Sequence, residues 1–400
     1  MIKKTKIVAT VSDLRCDTKF IEKLFRAGMN VVRLNTAHQS IEATRKIIQN
    51  VRAVSDNIAL MLDTKGPEIR TTDSDYKIAL KKGDKIELRG NSDKASSPEC
   101  IYVNYNNFTN EIAVNCRILI DDGEIELLVN EKKDNVLVCE ALNDGLIKSR
   151  KSVNVPCSVF SLPALSKKDI EYIDYAIEED IDFIAHSFVR NKEDVIAIQQ
   201  ILDKKQSKIK IIAKIENQEG VDNIDEILKH VYGIMVARGD LAIEIPYEKI
   251  PGIQKTLINK CIDARKPVIV ATQMLHSMID NPRPTRAEVT DIANAIYSKT
   301  DAIMLSGETA YGNYPVEAVE TMGKIAVEVE KSRGDIHKTP LFIASTHTSA
   351  FLTKSAVEAS IELDAKAIVA DTTTGRTVRN IAGYRGRKVI FAQCYDKRVV

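Results

Sequence analysis

Residues 266–273 read KPVIVATQ, with Val268, Ile269, Val270 and Ala271 forming an unbroken apolar run between polar ends. A strand covered on one face alternates apolar with polar residues. A continuous run of this length instead suits a strand buried on both faces, as in a parallel sheet covered by helices. Seven further runs share the texture, over residues 6–11, 30–35, 58–64, 181–187, 209–216, 233–240 and 301–308. Most start about 25–35 residues apart, the length of one strand–helix unit. Helical periodicity fills the intervals, for example over 168–179 and 222–230. Eight parallel strands with their crossovers close into a (β/α)8 TIM barrel, which takes roughly 250 residues.

One interval is too long. Between Asp63 and Ile181 the texture turns to period-two alternation with Lys-Gly and Asp-Gly turns, as in YKIALKKGDKIELRG (76–90), RILIDDGEIELLVNEKKDNVLVCEALNDGLI (117–147) and SVNVP (152–156). This reads as an all-β domain inserted after the third strand, bounded by Pro67 and Pro163. It leaves the barrel at the C-terminal end of a strand, where barrel enzymes keep their sites, which favours a lid over mere decoration of the barrel. Ser166, with Asp169 three residues on, caps the helix that re-enters the barrel. A last barrel helix is expected over 318–332. Beyond it, 345–363 reads as helix and 365–394 as strand, turn, helix, strand. Two parallel strands have open edges and little core, so this region either packs on the barrel or is part of a larger α/β domain, the reading preferred here. The expected division is 1–66 and 164–338 for the α/β barrel, 67–163 for the lid, and 339–400 for a partial C-terminal α/β domain.

Composition narrows the partners. Of the 400 residues 44% are hydrophobic and 28% charged, a globular balance. Lys plus Arg number 57 against 56 Asp plus Glu, a net charge of +1, which argues against nucleic acid or an anionic membrane as partner. No apolar run reaches the roughly 18 residues of a membrane span, and the first residues lack the features of a secretory signal. The seven cysteines (16, 100, 116, 139, 157, 261 and 394) are scattered without a C-x-x-C. They read as reduced thiols of a cytoplasmic protein.

The strand ends carry the chemistry. They hold Arg33 and Asn35, Asp63 and Thr64, His186 and Ser187, Lys214 and Glu216, Arg238 and Asp240, Thr272 and Gln273, and Ser306 and Glu308. Residues two apart on a strand share a face, so Arg33/Asn35, Lys214/Glu216, Arg238/Asp240 and Ser306/Glu308 are each expected to aim together at the barrel mouth. Glu216 and Asp240 on neighbouring strands suit Mg²⁺, which takes one or two carboxylates and leaves positions for water and substrate oxygens. Arg33, Lys214 and Arg238 would gather anionic oxygens. A divalent cation among converging cationic side chains is the equipment of phosphoryl transfer. The Gly-Lys-Ser/Thr of a P-loop is absent, and no Ser-His-Asp or Cys-His set is legible. His38 and His276 lie just past strand ends; His230, His337 and His347 read as surface or helix-end residues.

Over essentially its whole length the chain resembles pyruvate kinase, of the bacterial type. The resemblance rests on KIVATV (6–11), AGMNVVRLN (27–35), LDTKGPEIRT (62–71), IKIIAKIENQEGV (209–221), GIMVARGDLAIEIP (233–246), ATQMLHSMIDNPRPTRAEVTDIANAI (271–296) and DAIMLSGETAYGNYPVEAV (301–319). It implies transfer of the phosphoryl group of phosphoenolpyruvate to ADP, giving pyruvate and ATP, with Mg²⁺ (or Mn²⁺) and K⁺ as cofactors. Glu216 and Asp240 would hold Mg²⁺. Lys214 would neutralise the phosphoryl group in flight and Arg33 would grip its oxygens. Arg70, with His38 and Asn35, would face the nucleotide. Backbone N–H groups at Gly239 and Asp240 would bind the substrate carboxylate, and Thr272 would sit beside the enolate carbon. Protonation of the enolate would run through water, with Ser306 and Glu308 either relaying the proton or bracing the strand end.

Asn35, Asp63 and Thr64 match three K⁺ ligands of the family, and Glu68 matches the acidic residue of K⁺-dependent members. The fourth ligand, usually Ser, is Ala37 in this chain's NTAH (35–38), which implies that K⁺ is required but loosely held. HSFVRNK (186–192) places His186 where the family has a small residue and Asn191 where it often has Lys; Ala242 stands where Gly is usual. DTTTGRT (371–377) resembles the loop that takes an effector phosphate in activated members, or is an ordinary strand–helix turn. The family is a homo-oligomer, commonly a tetramer. Two other classes compete: a Mg²⁺-dependent lyase or aldolase acting on a pyruvate enolate, and a catalytically silent binding protein of this fold.

Overall fold

The computed structural model describes residues 3–332 and 347–395. The expected boundary at 338, the helix start at Ser345, His337 and the end at Val400 lie outside the described residues.

Three strands open the chain: β1 (Lys6–Thr10), β2 (Val31–Asn35) and β3 (Ala59–Asp63). Eight short strands of the insertion follow: β4 (Ile78–Leu80), β5 (Lys85–Gly90), β6 (Cys100–Val103), β7 (Arg117–Ile120), β8 (Ile125–Lys133), β9 (Val136–Ala141), β10 (Gly145–Ile147) and β11 (Val153–Asn154). The chain then supplies β12 (Phe183–His186), β13 (Lys210–Ile215), β14 (Gly233–Ala237), β15 (Val268–Ala271) and β16 (Ala302–Leu305). The barrel closes in the order β1-β16-β15-β14-β13-β12-β3-β2 with every neighbouring pair parallel. This is the α/β TIM barrel that the apolar runs imply.

β15 shows why those runs are continuous. Val268 and Val270 pack outward into the core beneath the helices, while Ile269 and Ala271 pack into the barrel interior with Val8, Met61, Ala185 and Ile212. Each face of the strand meets apolar side chains, so neither face tolerates polarity.

The insertion folds into a six-stranded sheet in the order β11-β7-β8-β9-β5-β6, with β4 and β10 as a separate pair. It has its own apolar core, including Leu88, Phe108, Ile118, Leu127 and Leu137. Its two connections to the barrel are tied together. The helix Lys167–Glu178 starts with a capping box between Ser166 and Asp169. Asp169 Oδ1 also accepts from the backbone N–H of Lys65 at 3.0 Å, where the chain leaves β3. A cap of this kind stabilises by about 1 kcal/mol; here the same carboxylate also fixes where the insertion begins and ends.

Several expectations are corrected. The strands over 233–240 and 301–308 end sooner, at Ala237 and Leu305, and the chain turns into the short helices Arg238–Glu244 and Gly307–Ala310. Arg238/Asp240 and Ser306/Glu308 therefore do not share a face by strand alternation. The run at 266–273 ends at Ala271, because Thr272 and Gln273 take φ of 70° and 53°, a left-handed backbone that no strand continues. The helix expected over 222–230 is two short ones, Gln218–Asp222 and Ile224–His230. Cys116 and Cys157 are not free thiols. They are joined in a disulfide, their Cα atoms 6.0 Å apart, because the lid sheet brings together residues 41 apart in sequence.

The last barrel helix is Pro315–Ser332. After the helix His347–Glu362, β17 (Ala367–Thr372) and β18 (Val389–Cys394) pair in parallel, with the helix Arg376–Gly383 between them. This unit packs on the N-terminal end of the barrel, where Arg385 Nη2 meets Asp301 Oδ2 at 2.6 Å and Lys266 O at 3.0 Å.

Candidate active site

The interior face of the barrel decides which side chains reach its mouth. Val31, Met61, Ala185 and Ile212 all pack in the interior core. Alternation puts Arg33, Asp63, Ser187 and Lys214, each two residues on, at the next level up on the same face. There they meet. Arg33 Nε lies 2.6 Å from Asp63 Oδ2, and Lys214 Nζ lies 3.1 Å from Asp63 Oδ1 and 2.9 Å from Glu216 Oε1. Lys214 also donates to Ser187 Oγ at 2.8 Å, and Ser187 Oγ donates to Thr64 O at 2.6 Å. Arg33 Nη1 donates to Thr10 Oγ1 at 3.1 Å.

This cluster is almost entirely buried, so its charges act at close range in a weakly screening medium. Burial alone would push the Asp63 carboxyl up, but Arg33 and Lys214 beside it reverse that and hold it below the ordinary carboxylate range. Burial would strip the proton from Lys214; the charges of Asp63 and Glu216 outweigh it and raise the ammonium above its ordinary value. Lys214 thus stays cationic although buried. Glu216 is pulled the other way: burial, with Asp240's charge adding to it, pushes its carboxyl up against the opposing pull of Lys214.

The donor set fits a divalent cation. Glu216 follows β13 and Asp240 lies in the first turn after β14, on adjacent strands. Glu216 Oε2 accepts from Phe188 N–H at 2.6 Å and Oε1 faces Lys214. Among the described residues no donor meets the Asp240 carboxylate. A buried carboxylate whose ionisation is opposed by burial and by a neighbouring acidic group, beside a second carboxylate with no donor among the described residues, is the arrangement that a hard cation relieves. For a monovalent cation, Asn35 and Asp63 stand opposite each other in the β2–β3 register, with Thr64 next along. Asn35 Oδ1 accepts from Ala37 N–H at 3.1 Å, and Ala37 itself offers no side-chain oxygen.

Thr272, in its left-handed conformation, accepts from Gly239 N–H at 2.8 Å and donates to Ala271 O at 2.6 Å. The Gly239 N–H expected for a substrate carboxylate is thus held by Thr272 here. Arg238 does not point into the mouth. Its guanidinium turns back to Asp291 at 2.7 Å and to Thr272 O at 2.6 Å, which holds the strained turn in place. Glu308 is buried with both oxygens engaged, from Leu275 N–H at 3.1 Å and from Ser306 N–H at 2.7 Å. These two contacts tie the β15 and β16 strand ends together. Arg70 is half-buried at the lid junction, bonded to Glu68 at 2.8 Å and to Arg150 O at 2.8 Å. His38 is exposed three residues beyond β2.

A cavity of about 460 Å³ separates lid from barrel. Arg70, Glu68 and Cys157 wall it from the lid side, and Asp240, Asn217 and Glu244 from the barrel. It adjoins the buried cluster through Asp240; Lys214, Arg33 and His38 are not in its wall. Sequence reasoning did not assign functions to Ser187, Thr10, Asp291 or the Phe188 N–H. Ser187 could have been found, since it follows Ala185 at the same two-residue step as the others. Asp291 could not, because it lies in the helix Arg286–Tyr297 with no local signal.

A parallel barrel whose mouth holds a buried lysine, an arginine and paired carboxylates under an all-β lid defines a class: enzymes that bind and neutralise a multiply anionic substrate. The comparisons with known proteins give the particular member. A family model described as pyruvate kinase, barrel domain, matches residues 2–319. The pyruvate kinase of Borreliella burgdorferi is 50% identical over 399 residues, covering 99% of this chain and 83% of that one. That of Staphylococcus epidermidis is 46% identical over 400 residues, covering 98% and 68%. The crystal structure of a pyruvate kinase from Cryptosporidium parvum superposes with a TM-score of 0.94 at 39% identity, covering 99% of this chain and 84% of that chain. The chain belongs to the pyruvate kinase family.

Proposed function

We propose that the chain moves the phosphoryl group of phosphoenolpyruvate to ADP, requires Mg²⁺ (or Mn²⁺) and K⁺, and uses the buried Arg33–Asp63–Lys214–Glu216 cluster with Asp240 to do so. The observation that carries this reading is a lysine kept charged in a buried site by Asp63 and Glu216, beside a carboxylate with no donor of its own.

Glu216 and Asp240 would hold Mg²⁺; when bound, the ion draws charge from the phosphoryl and enolate oxygens. Asn35, Asp63 and Thr64 would hold K⁺. Lys214 and Arg33 supply fixed positive charge where the phosphoryl oxygens gather. They are already oriented by Asp63 and Ser187, so little reorganisation is needed as charge develops. Arg70, on the lid side of the cavity, and His38, at its exposed loop, would face the nucleotide. Closing the lid excludes water, which keeps the phosphoryl group from hydrolysis. The turn at Gly239 and Asp240 receives the substrate carboxylate, with Thr272 Oγ1 yielding the Gly239 N–H to it. Thr272 then stands at the enolate carbon. Proton delivery falls to water near Ser306, because Glu308 is engaged in bracing.

The test is pyruvate formation from phosphoenolpyruvate with ADP, Mg²⁺ and K⁺, compared with Lys214→Met. ATP formation coupled to pyruvate formation supports the reading. Pyruvate without ATP, or no turnover with intact fold and both cations present, overturns it.

A further inference from the structure

The Cys116–Cys157 bond occupies a particular place in the lid. β11 is an edge strand of two residues, with Val153 opposite Ile120 and Asn154 opposite Leu119 on β7. Continued in the same antiparallel register, Cys157 falls opposite Cys116. So short an edge strand has few ladder bonds to hold it, and the disulfide extends the pairing to the point where the chain departs for the barrel. The Cα separation of 6.0 Å suits a disulfide across such a pair.

The departing strap has anchors on both bodies. Phe160 stacks on Phe108 of the lid core with ring centroids 5.8 Å apart. Arg190 of the barrel donates to Phe160 O at 3.0 Å and Leu162 O at 2.9 Å. Cys157 lies between the lid sheet and these anchors, exposed and in the cavity wall. Upstream, Ser152 bridges Arg70 and Arg150 O accepts from it, so the strand that the disulfide pins also positions Arg70. The two sulfurs differ in access: Cys116 is buried and Cys157 exposed, while Cys16, Cys100, Cys139 and Cys261 are buried.

We propose that Cys116 and Cys157 form a reversible dithiol–disulfide couple that pins the lid's return strap when oxidised and frees it when reduced, and so tunes how the lid and Arg70 engage the nucleotide. This rests on the phosphotransfer reading above. In reduction, a thiolate of a dithiol reductant attacks Cys157 Sγ and Cys116 leaves as a thiolate. The reductant's second thiolate then displaces Cys157 and the reductant departs as a cyclic disulfide. Two electrons and two protons pass to the protein. In oxidation, the Cys157 thiolate attacks a small disulfide of the glutathione type and releases one thiol. Cys116 then displaces the second thiol and closes the bond.

The full chain is equilibrated with oxidised or reduced glutathione plus a dithiol, then passed to mass mapping, hydrogen exchange and kinetics. Oxidation is expected to remove two hydrogens and yield a single Cys116–Cys157 linked peptide. Reduction is expected to speed amide exchange over 155–162 by about tenfold, and to raise KM for ADP by about threefold with a smaller change in kcat. Cys116→Ser, a lid-core position away from the catalytic cluster, should show the reduced-form KM under both conditions, and Cys157→Ser should do the same. Equal exchange and equal KM in the two states overturn the proposal, as does oxidation that links other cysteines. If no pyruvate forms in either state while strap exchange still responds, the phosphotransfer reading fails and the couple stands as a structural switch alone.

Discussion

His186 offers a stringent test of how this site was built. It ends β12 and is 1% exposed. Its Nδ1 lies 3.5 Å from Thr64 Oγ1, and its Nε2 has no hydrogen-bond partner among the described residues. Burial lowers its pKa from 6.5 to about 4, against the pull of Asp194 and Asp169. The imidazole is therefore neutral in the fold at any pH where the enzyme works. Between the two pKa values the unfolded chain binds a proton that the native state refuses, so stability falls as pH drops from 6.5 toward 4. Linkage puts the loss at about 2 kcal/mol by pH 5 and about 3 kcal/mol by pH 4. The perturbation is His186→Ala. The cavity it leaves costs the same at every pH, so the slope is diagnostic rather than the offset. Urea unfolding of both proteins at pH 7, 6 and 5 should show the stability difference shrinking or reversing by about 2 kcal/mol on acidification. The imidazole resonance should titrate near pH 4. Parallel stability curves, or a histidine titrating near 6.5, would refute the account of a desolvated ring behind the Thr64 turn.

Three further outcomes are expected. Lys214→Met should lower turnover by about 10³-fold or more while nucleotide binding, read by calorimetry, survives; it should also cost about 3–5 kcal/mol of stability, because Asp63 and Glu216 lose their buried partner. Gly66→Val should destabilise by about 1–3 kcal/mol in thermal unfolding, since a Cβ at Gly66, where φ is +74°, would come within 2.9 Å of both Ser187 Cβ and Phe188 Cδ2; an unchanged melting temperature would contradict it. Ala37→Ser restores a hydroxyl beside Asn35, Asp63 and Thr64 and should lower the half-saturating K⁺ concentration by about threefold or more, with activity lost when tetramethylammonium replaces K⁺; full activity in tetramethylammonium would remove the K⁺ site.

The barrel was legible because burial on both faces leaves a one-dimensional trace. Within KPVIVATQ the run Val268–Ala271 is unbroken because Val268 and Val270 serve one core while Ile269 and Ala271 serve another. Arg33, Asp63, Lys214 and Glu216 were legible for a related reason: charge at the end of such a run has nowhere to go but the mouth. The strand ends themselves misled. Alternation predicted Arg238 beside Asp240, but the chain turns helical at Arg238, and the guanidinium finds Asp291, 53 residues away. Glu308 read equally as relay or brace, and the backbone N–H groups of Leu275 and Ser306 at its two oxygens are contacts that no local sequence signal announces. The disulfide left no trace at all, because Cys116 and Cys157 carry no spacing signal and meet through sheet register.

By itself the order of residues determined the barrel, the inserted lid and the identity of the charged groups at the strand ends, since periodicity and charge are local properties that persist in any one stretch of chain. Tertiary structure alone decided which of those charges pair, that Lys214 stays protonated though buried, that Gly239 is held by Thr272, and that Cys116 meets Cys157. Those outcomes depend on distances of a few ångströms between residues remote in sequence, and on desolvation that exists only once the barrel has closed around them.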